Sequence, residues 1–158
     1  VRFDESELRE LGRTSLGVKG AELREGDEVI DSLLVTDDNI ILTLTEGGYG
    51  QRTYLKEYRK TGRGAKGVIN ITLNPIKKDK VIAIKIAKLM DILIGTEQGQ
   101  VIRVPVDSIR ITHRKAKGVR VIKLYANDSV VAIGKCETQI KDNDEENEEN
   151  NEENNEEK

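Results

Sequence analysis

The chain has 158 residues with no tryptophan and only 3% aromatic residues, so its core must be built from valine, isoleucine and leucine. A single cysteine and a single histidine exclude an internal disulfide and a zinc site made of these residue types, and no apolar run approaches the ~20 residues of a membrane span. The net charge of −3 divides into −7 for residues 1–46, +13 for residues 47–141 and −9 for residues 142–158, which predicts a polyanion-binding middle region followed by an acidic tail.

An internal repeat of about 50 residues organises residues 1–141. Arginines and Gly-Val pairs recur in columns at intervals of 50 or 51 residues. The columns are Arg2, Arg52 and Arg103; Arg9, Arg59 and Arg110; Arg13, Arg63 and Arg114; and Gly17-Val18, Gly67-Val68 and Gly118-Val119. Because arginine is a minority residue, three columns in register predict three repeated units, with bounds of about 2–51, 52–102 and 103–141.

Each unit is predicted to be β-structure, since its apolar runs are short and rich in β-branched residues. In chain order the predicted strands are residues 29–35, 40–45, 51–53, 68–73, 81–87, 92–96, 101–104, 119–124 and 130–136, and residues 6–11 are the one candidate for a turn of helix. The runs 40–45 and 92–96 end in Glu-Gly-Gly and Glu-Gln-Gly, which are typical of hairpin turns. About four short strands per unit predict an all-β, propeller-like array of about three blades.

A basic, glycine-containing loop precedes the Gly-Val pair of each unit. The copies are residues 12–18, 62–68 and 113–119. Each copy places an arginine four residues before a glycine, and the later copies add Lys66, Lys115 and Lys117. Glycines let the main chain approach a ligand closely, while arginine and lysine supply positive charge, so the loops suit a phosphate backbone. The alternative is that the glycines only satisfy turn geometry and that the arginines are solvated or pair with acids of neighbouring units. The first copy, with no lysine between Arg13 and Gly17, is the weakest candidate.

Two isolated residues and the tail carry further predictions. Cys136 ends an apolar run and is predicted to be a buried thiol, and His113 lies in a basic segment and is predicted to be a solvated surface side chain. Residues 142–158 contain no apolar residue and are predicted to be disordered. Two interpretations of this tail stay open: a solubilising segment, or an electrostatic decoy that competes with the ligand for the basic region.

These motifs resemble the C-terminal domain of the DNA gyrase A protein. Residues 62–67 resemble the glycine-rich basic box of that family, with Arg63, Gly64, Lys66 and Gly67 in matching places and departures at Thr61, Gly62 and Ala65. The wider matching segments are residues 1–3, 9–13, 17–20, 25–27, 41–46, 48–53, 57–59 and 66–69. The resemblance covers essentially residues 1–141, and the acidic tail stands where many members of the family carry one.

The resemblance implies a six-bladed β-pinwheel, of which this chain holds about three blades, and a basic rim that wraps DNA to support negative supercoiling. It also implies that the principal box lies in an earlier blade and that loop 62–67 is a secondary contact. The strand-cleaving tyrosine of the family belongs to its N-terminal part. None of the four tyrosines here is therefore expected to be catalytic; they are Tyr49, Tyr54, Tyr58 and Tyr125.

The predicted binding residues are the basic side chains of the loops and columns. They are Arg13, Arg52, Arg59, Lys60, Arg63, Lys66, Arg103, Arg110, Arg114, Lys115, Lys117 and Arg120. No catalytic site, metal or cofactor is expected in the fragment itself.

The resemblance implies that the partners are duplex DNA, the gyrase B protein and a second copy of the gyrase A protein, in an A2B2 enzyme that uses ATP and Mg²⁺. It also implies a cytoplasmic, nucleoid-associated location without a membrane. The first residue is not methionine and no leader precedes it, so we expect a fragment of a longer protein. Two alternatives are the equivalent domain of topoisomerase IV, which regular repeats disfavour, and a protein-interaction propeller, which the lack of tryptophan disfavours.

Overall fold

The structure is a computed structural model that describes residues 1–74, 76, 79–88 and 90–136. In this part of the chain it is all-β, with short 3₁₀ turns in place of helices. The strands are β1 (Ile40–Thr45), β2 (Tyr49–Tyr54), β3 (Val81–Ile86), β4 (Asp91–Thr96), β5 (Val101–Pro105), β6 (Val119–Arg120) and β7 (Val130–Cys136). The 3₁₀ turns are Glu5–Glu7, Leu55–Glu57 and Val106–Ser108. The predicted acidic tail, residues 142–158, lies outside the described residues.

Two antiparallel sheets are built around two hairpins, as the Glu-Gly-Gly and Glu-Gln-Gly turns predict. The first sheet has the order β3-β1-β2-β6, and the second has the order β5-β4-β7. In each, the hairpin (β1–β2 or β4–β5) is joined along its first strand by a strand from the following unit, β3 or β7. Both of these pairings contain a register shift at equivalent places, after Leu44 and after Gly95. The repeat indicated by the arginine columns is therefore also a repeat of strand pairing.

The sheets are interlocked, because the first one draws strands from three consecutive units. β1 comes from the first unit, β2 spans the boundary between the first and second units, β3 comes from the second, and β6 comes from the third, where it pairs with β2 at Tyr49 and Gly50. The second and third units thus each supply a strand to a sheet that begins earlier in the chain.

The apolar core lies along the central strands of both sheets. Its buried members are Leu42, Leu44, Ile92, Ile94, Val106, Ile109, Ile122 and Val130. The opposite face of β1 is also buried but partly polar: Thr43 is fully buried, and its hydroxyl accepts a hydrogen bond from Asn70 Nδ2 at 2.8 Å. β1 is therefore covered on both faces, by the core on one side and by the segment that contains Asn70 on the other.

Three predicted strands differ from the observed ones. Residues 29–35 form no strand. They are the equivalents in the first unit of β3 and β7, each of which pairs with the hairpin before it, and residues 1–28 contain no hairpin. Residues 68–73 form no strand because their backbone bonds go to a loop of the next unit. The run 119–124 forms only Val119–Arg120, since the N–H groups of Val121 and Ile122 both turn to Gly48 O.

Two smaller predictions are also corrected. The turn of helix expected at residues 6–11 lies earlier, at Glu5–Glu7, where Asp4 and Glu7 form a capping box. Cys136 ends β7 as predicted but is half-buried rather than fully buried.

Candidate nucleic-acid interface

The second and third basic loops adopt the same backbone arrangement. Gly64 N donates to Gly20 O at 2.9 Å, and at the equivalent place Lys115 N donates to Asn70 O at 2.7 Å. The next carbonyl in each loop accepts a hydrogen bond from the same neighbouring segment. These bonds are Glu22 N to Ala65 O at 3.0 Å and Thr72 N to Ala116 O at 2.9 Å. Each loop is thus paired with the segment that follows the Gly-Val pair of the preceding unit, which fixes its position.

In the second and third units, the glycine of the Gly-Val pair is required by both conformation and space. Gly67 and Gly118 have φ of +75° and +71°, in the left-handed region. A Cβ on Gly118 would lie 2.6 Å from Gly50 O, and one on Gly67 would lie 2.8 Å from Val1 N. The third loop therefore crosses β2 in backbone contact at Gly50, and the second loop crosses the start of the chain in the same way at Val1.

Lys115 holds a position that glycine holds in the preceding loop. Its φ is +70°, where Gly64 has +77°, and a non-glycine residue in this region costs about 1–2 kcal/mol. The side chain is exposed and takes no part in the buried core. The third loop therefore carries a lysine where glycine would be the less strained residue.

Replacing Lys115 with glycine is expected to raise the free energy of unfolding by about 0.5–1 kcal/mol, because relief of strain exceeds the entropic cost of glycine. Lys115→Ala is the matched control: it removes the same charge but keeps the strain, and should give no gain. Thermal or denaturant unfolding of the two variants measures the difference. Equal stabilities would contradict the assignment of strain to this position.

Two of the three arginines of the third column, Arg63 and Arg114, act within the fold. Arg114 donates from Nη1 to Ile69 O at 2.7 Å and from Nε to Glu57 O at 3.2 Å. Arg63 repeats the first contact, from Nη1 to Lys19 O at 3.1 Å. These guanidinium groups bind main-chain carbonyls of the preceding unit, so part of their hydrogen-bonding capacity is used in joining units.

The arginines of the first column have a similar role. Arg52 donates from Nη2 to Asp107 O at 2.8 Å and from Nε to Ile109 O. Arg2 donates to Tyr58 O at 3.0 Å, and Arg103 Nε donates to Asp91 Oδ2 at 2.5 Å. Arg52, Arg63, Arg103 and Arg114 are among the predicted DNA-binding residues, with pairing to acids of neighbouring units as the alternative for the loop arginines. The bonds of Arg52, Arg63 and Arg114 to main-chain carbonyls were not predicted. The signal was present, since they share the strict spacing of the structural Gly-Val pairs.

The remaining predicted residues lie on the surface. Lys60 forms an ion pair with Asp4 at 3.1 Å, Lys66 lies 3.8 Å from Glu22, and Arg120 lies against the ring of Tyr49. The others are exposed, and among the described residues they form no ion pair; they are Arg13, Arg59, Arg110, Lys115 and Lys117. The structure brings Lys115 and Lys117 together on one loop, both with charge available to a ligand.

A carboxylate that sequence reasoning did not single out lies beneath the second loop and another lies beneath the third. Glu57 Oε2 accepts from Arg114 N at 3.0 Å, and its Oε1 lies 2.5 Å from His113 Nδ1. In the preceding loop Glu7 Oε2 accepts from Arg63 N at 2.8 Å. His113 is solvent-exposed as predicted, but it is also in contact with this acid.

The pKa of Glu57 is lowered, chiefly by the backbone N–H of Arg114 and next by the hydrogen bond with His113. A folded-state pKa below the unfolded value means that the associated stabilisation is present above about 4.5 and is lost as the pH falls through the lower folded value. The carboxylate is therefore ionised at neutral pH, with its charge directed at the start of the loop.

The described residues hold no group of three or more His, Cys, Asp or Glu side chains placed to bind a metal. In the same residues, no helix is long and apolar enough to cross a membrane.

Comparison with known proteins identifies the family. The family model described as "DNA gyrase C-terminal domain, beta-propeller" matches residues 1–36, 39–88 and 91–137. The DNA gyrase A protein of Staphylococcus aureus is 38% identical over 148 residues, which are 92% of this chain and 17% of that protein.

Two solved structures share the fold. The C-terminal domain of DNA topoisomerase IV superposes with a TM-score of 0.78 at 28% identity, over 85% of this chain and 42% of that one. The DNA gyrase A C-terminal domain superposes with a TM-score of 0.74 at 26% identity, over 85% and 46%. The chain thus spans less than half of each solved domain and less than a fifth of the full gyrase A protein. The all-β fold, the strand-paired repeat and the family match lead to one conclusion: the chain belongs to the family of C-terminal, β-propeller domains of DNA gyrase.

Proposed function

We propose that this chain binds duplex DNA through its phosphate backbone and bends it along a basic rim, as part of the DNA-wrapping domain of a gyrase A protein. The observation that carries the proposal is the repeated basic loop. Two consecutive units present the same backbone arrangement, and Lys66, Lys115 and Lys117 are exposed on it. A ligand with regularly spaced negative charges fits loops repeated at regular intervals.

The chemistry of the loops favours phosphate over base edges. Lysine ammonium groups are flexible point charges that neutralise phosphate without requiring a fixed geometry. The guanidinium groups of Arg63 and Arg114 donate to main-chain carbonyls, which uses part of the donor capacity that bidentate pairing with a base edge needs. We therefore infer binding that depends little on sequence.

The activity of the whole enzyme extends beyond this chain. We infer that the parent protein assembles with gyrase B and a second copy of gyrase A into an A2B2 enzyme, and that it couples ATP hydrolysis, with Mg²⁺, to negative supercoiling in the cytoplasm. Strand cleavage and ATP hydrolysis belong to other parts of that assembly. The contribution of this chain is to hold a DNA segment in a curved path.

Titration of the chain with duplex DNA at several salt concentrations tests the proposal. The logarithm of the association constant should fall linearly with the logarithm of salt concentration, by about 0.9 for each phosphate neutralised, and two unrelated duplex sequences should bind alike. Affinity that does not change with salt, or a strong preference for one sequence, would overturn phosphate binding. Absence of any binding would instead favour a protein-interaction propeller.

A second candidate, the equivalent domain of topoisomerase IV, is favoured by the superposition with a TM-score of 0.78. The two are distinguished by wrapping. A nicked plasmid is ligated with the chain bound, and its linking number is measured after the protein is removed. A shifted distribution supports a wrapping domain of the gyrase type, and an unshifted one supports the topoisomerase IV assignment.

A further inference from the structure

We propose that Glu57 is a positioning residue for DNA binding: it fixes the start of loop 113–118 so that Lys115 and Lys117 are presented to phosphate. Glu7 has the same role for loop 62–67. This inference rests on the proposed function, since the loops are taken to be the DNA-binding elements. It gives an acidic residue a favourable part in the binding of a polyanion.

Glu57 lies on a 3₁₀ turn that is anchored in the fold next to loop 113–118. It ends the 3₁₀ turn Leu55–Glu57, which follows β2 directly, and Leu55 is buried in the turn. The turn is closed by Tyr58 N donating to Leu55 O at 2.9 Å. The carboxylate therefore approaches the loop from a part of the fold with little freedom to move.

Glu57 binds both the main chain and the side chain of Arg114. Its carboxylate accepts from Arg114 N at 3.0 Å, and its own carbonyl accepts from Arg114 Nε at 3.2 Å. Backbone N–H groups bound to a carboxylate make stronger hydrogen bonds than those bound to a neutral acceptor. Arg114 is thus fixed as the last residue before the strained position of Lys115.

Downstream, the loop is held by two further bonds at Lys115. Its N–H donates to Asn70 O at 2.7 Å, and its carbonyl accepts from Thr72 Oγ1 at 2.6 Å. A lysine at φ +70° persists only where its surroundings determine the backbone. Removing the bond from Glu57 releases one side of this arrangement and lets the loop relax away from the binding conformation.

The preceding unit shows which contact is essential. Glu7 Oε2 accepts from Arg63 N at 2.8 Å, while Gly62 stands where His113 stands in the third unit. The shared feature is therefore the bond between the acid and the backbone, and the histidine contact is an addition. Glu7 is itself held by the capping box, through Asp4 N donating to Glu7 Oε1 at 3.3 Å.

Charge and positioning predict opposite results for Glu57→Ala. Removing a negative charge near a DNA-binding surface should strengthen binding if only the field matters. If Glu57 positions the loop, binding of the full chain to duplex DNA at low salt should weaken by about three- to tenfold, as expected for a lost charge-assisted hydrogen bond. Glu57→Gln keeps an oxygen that accepts from Arg114 N and should stay within about twofold of the original affinity.

Two controls separate positioning from charge and from general loss of structure. Glu25→Ala removes an equal charge from an exposed residue and should leave affinity unchanged or slightly tighter. In a chain that already carries Lys115→Ala and Lys117→Ala, Glu57→Ala should have no further effect, because the lysines through which it acts are gone. An undiminished loss in that background would overturn the proposal.

The outcomes also separate this inference from the proposed function. If the original chain shows no salt-dependent binding, the DNA-binding function itself is wrong. If the original chain binds and Glu57→Ala binds equally or more tightly, only the positioning role is wrong. If a thermal melt shows that Glu57→Ala does not fold, Glu7→Ala is used to test the positioning role. Loss of DNA affinity in Glu7→Ala supports that role, and unchanged affinity overturns it.

Discussion

Replacing Gly118 with alanine is expected to lower the free energy of unfolding by about 3 kcal/mol. The added Cβ would lie 2.6 Å from Gly50 O, and the backbone at φ +71° is strained for any L side chain. Gly50 belongs to β2, so the clash forces the third unit away from the first sheet. Denaturant unfolding measures the loss.

Gly99 provides the matched control for this substitution. Its φ is +85°, but a Cβ there would meet nothing within 4 Å. Gly99→Ala should therefore cost only the conformational strain, about 1 kcal/mol. If both variants lose the same amount, the close crossing at Gly50 contributes nothing to stability and the packing argument is wrong.

Replacing Lys66, Lys115 and Lys117 together with alanine is expected to produce the largest change in DNA binding. Each lysine that neutralises a phosphate contributes about 0.9 to the slope of log K against log salt, so the slope should flatten by about 2–3. The three side chains are exposed, and none of them bonds to the core. Affinity should therefore fall while the unfolding midpoint stays almost unchanged. Binding curves at four or five salt concentrations measure the slope.

Lys88→Ala controls for net charge. Lys88 is exposed and lies after β3, outside the basic loops. It should change the slope by well under one unit, because its position does not repeat with the loops. An unchanged slope in the triple variant would remove the loops from the DNA-binding surface.

The hairpins could be predicted because their signals are local. Runs such as residues 40–45 are β-branched and apolar, and the turns that follow them demand glycine, as the φ of +80° at Gly48 confirms. Residues 29–35 carry the same local signal but form no strand, because a strand also needs a neighbour to pair with. Residues 68–73 fail for a related reason: their hydrogen bonds go to a loop more than 40 residues later. Hydrogen bonding between segments so far apart in the sequence cannot be predicted from local composition.

The basic loops could be located from the sequence, but the hydrogen-bond partners of their side chains could not. The spacing of the arginines located the loops, and the exposed lysines on them fit the predicted chemistry. Charge alone could not distinguish Arg114, which donates to carbonyls, from Lys115, which faces solvent. Glu57 was missed because an acid beside a basic loop looks unfavourable until its bond to Arg114 N is seen. Which cations contact phosphate stays a prediction.

The interlocked pairing of units has a consequence for folding during synthesis. β2 emerges from the ribosome about 70 residues before β6, its partner at Gly50 and Val119. Such long sequence separation slows folding, because the entropy of loop closure is lost before the contact forms. Until residue 119 is made, one edge of the first sheet has open hydrogen-bonding groups that can pair with another nascent chain. A pause in translation between β2 and β6 should therefore promote aggregation more than a pause after β7.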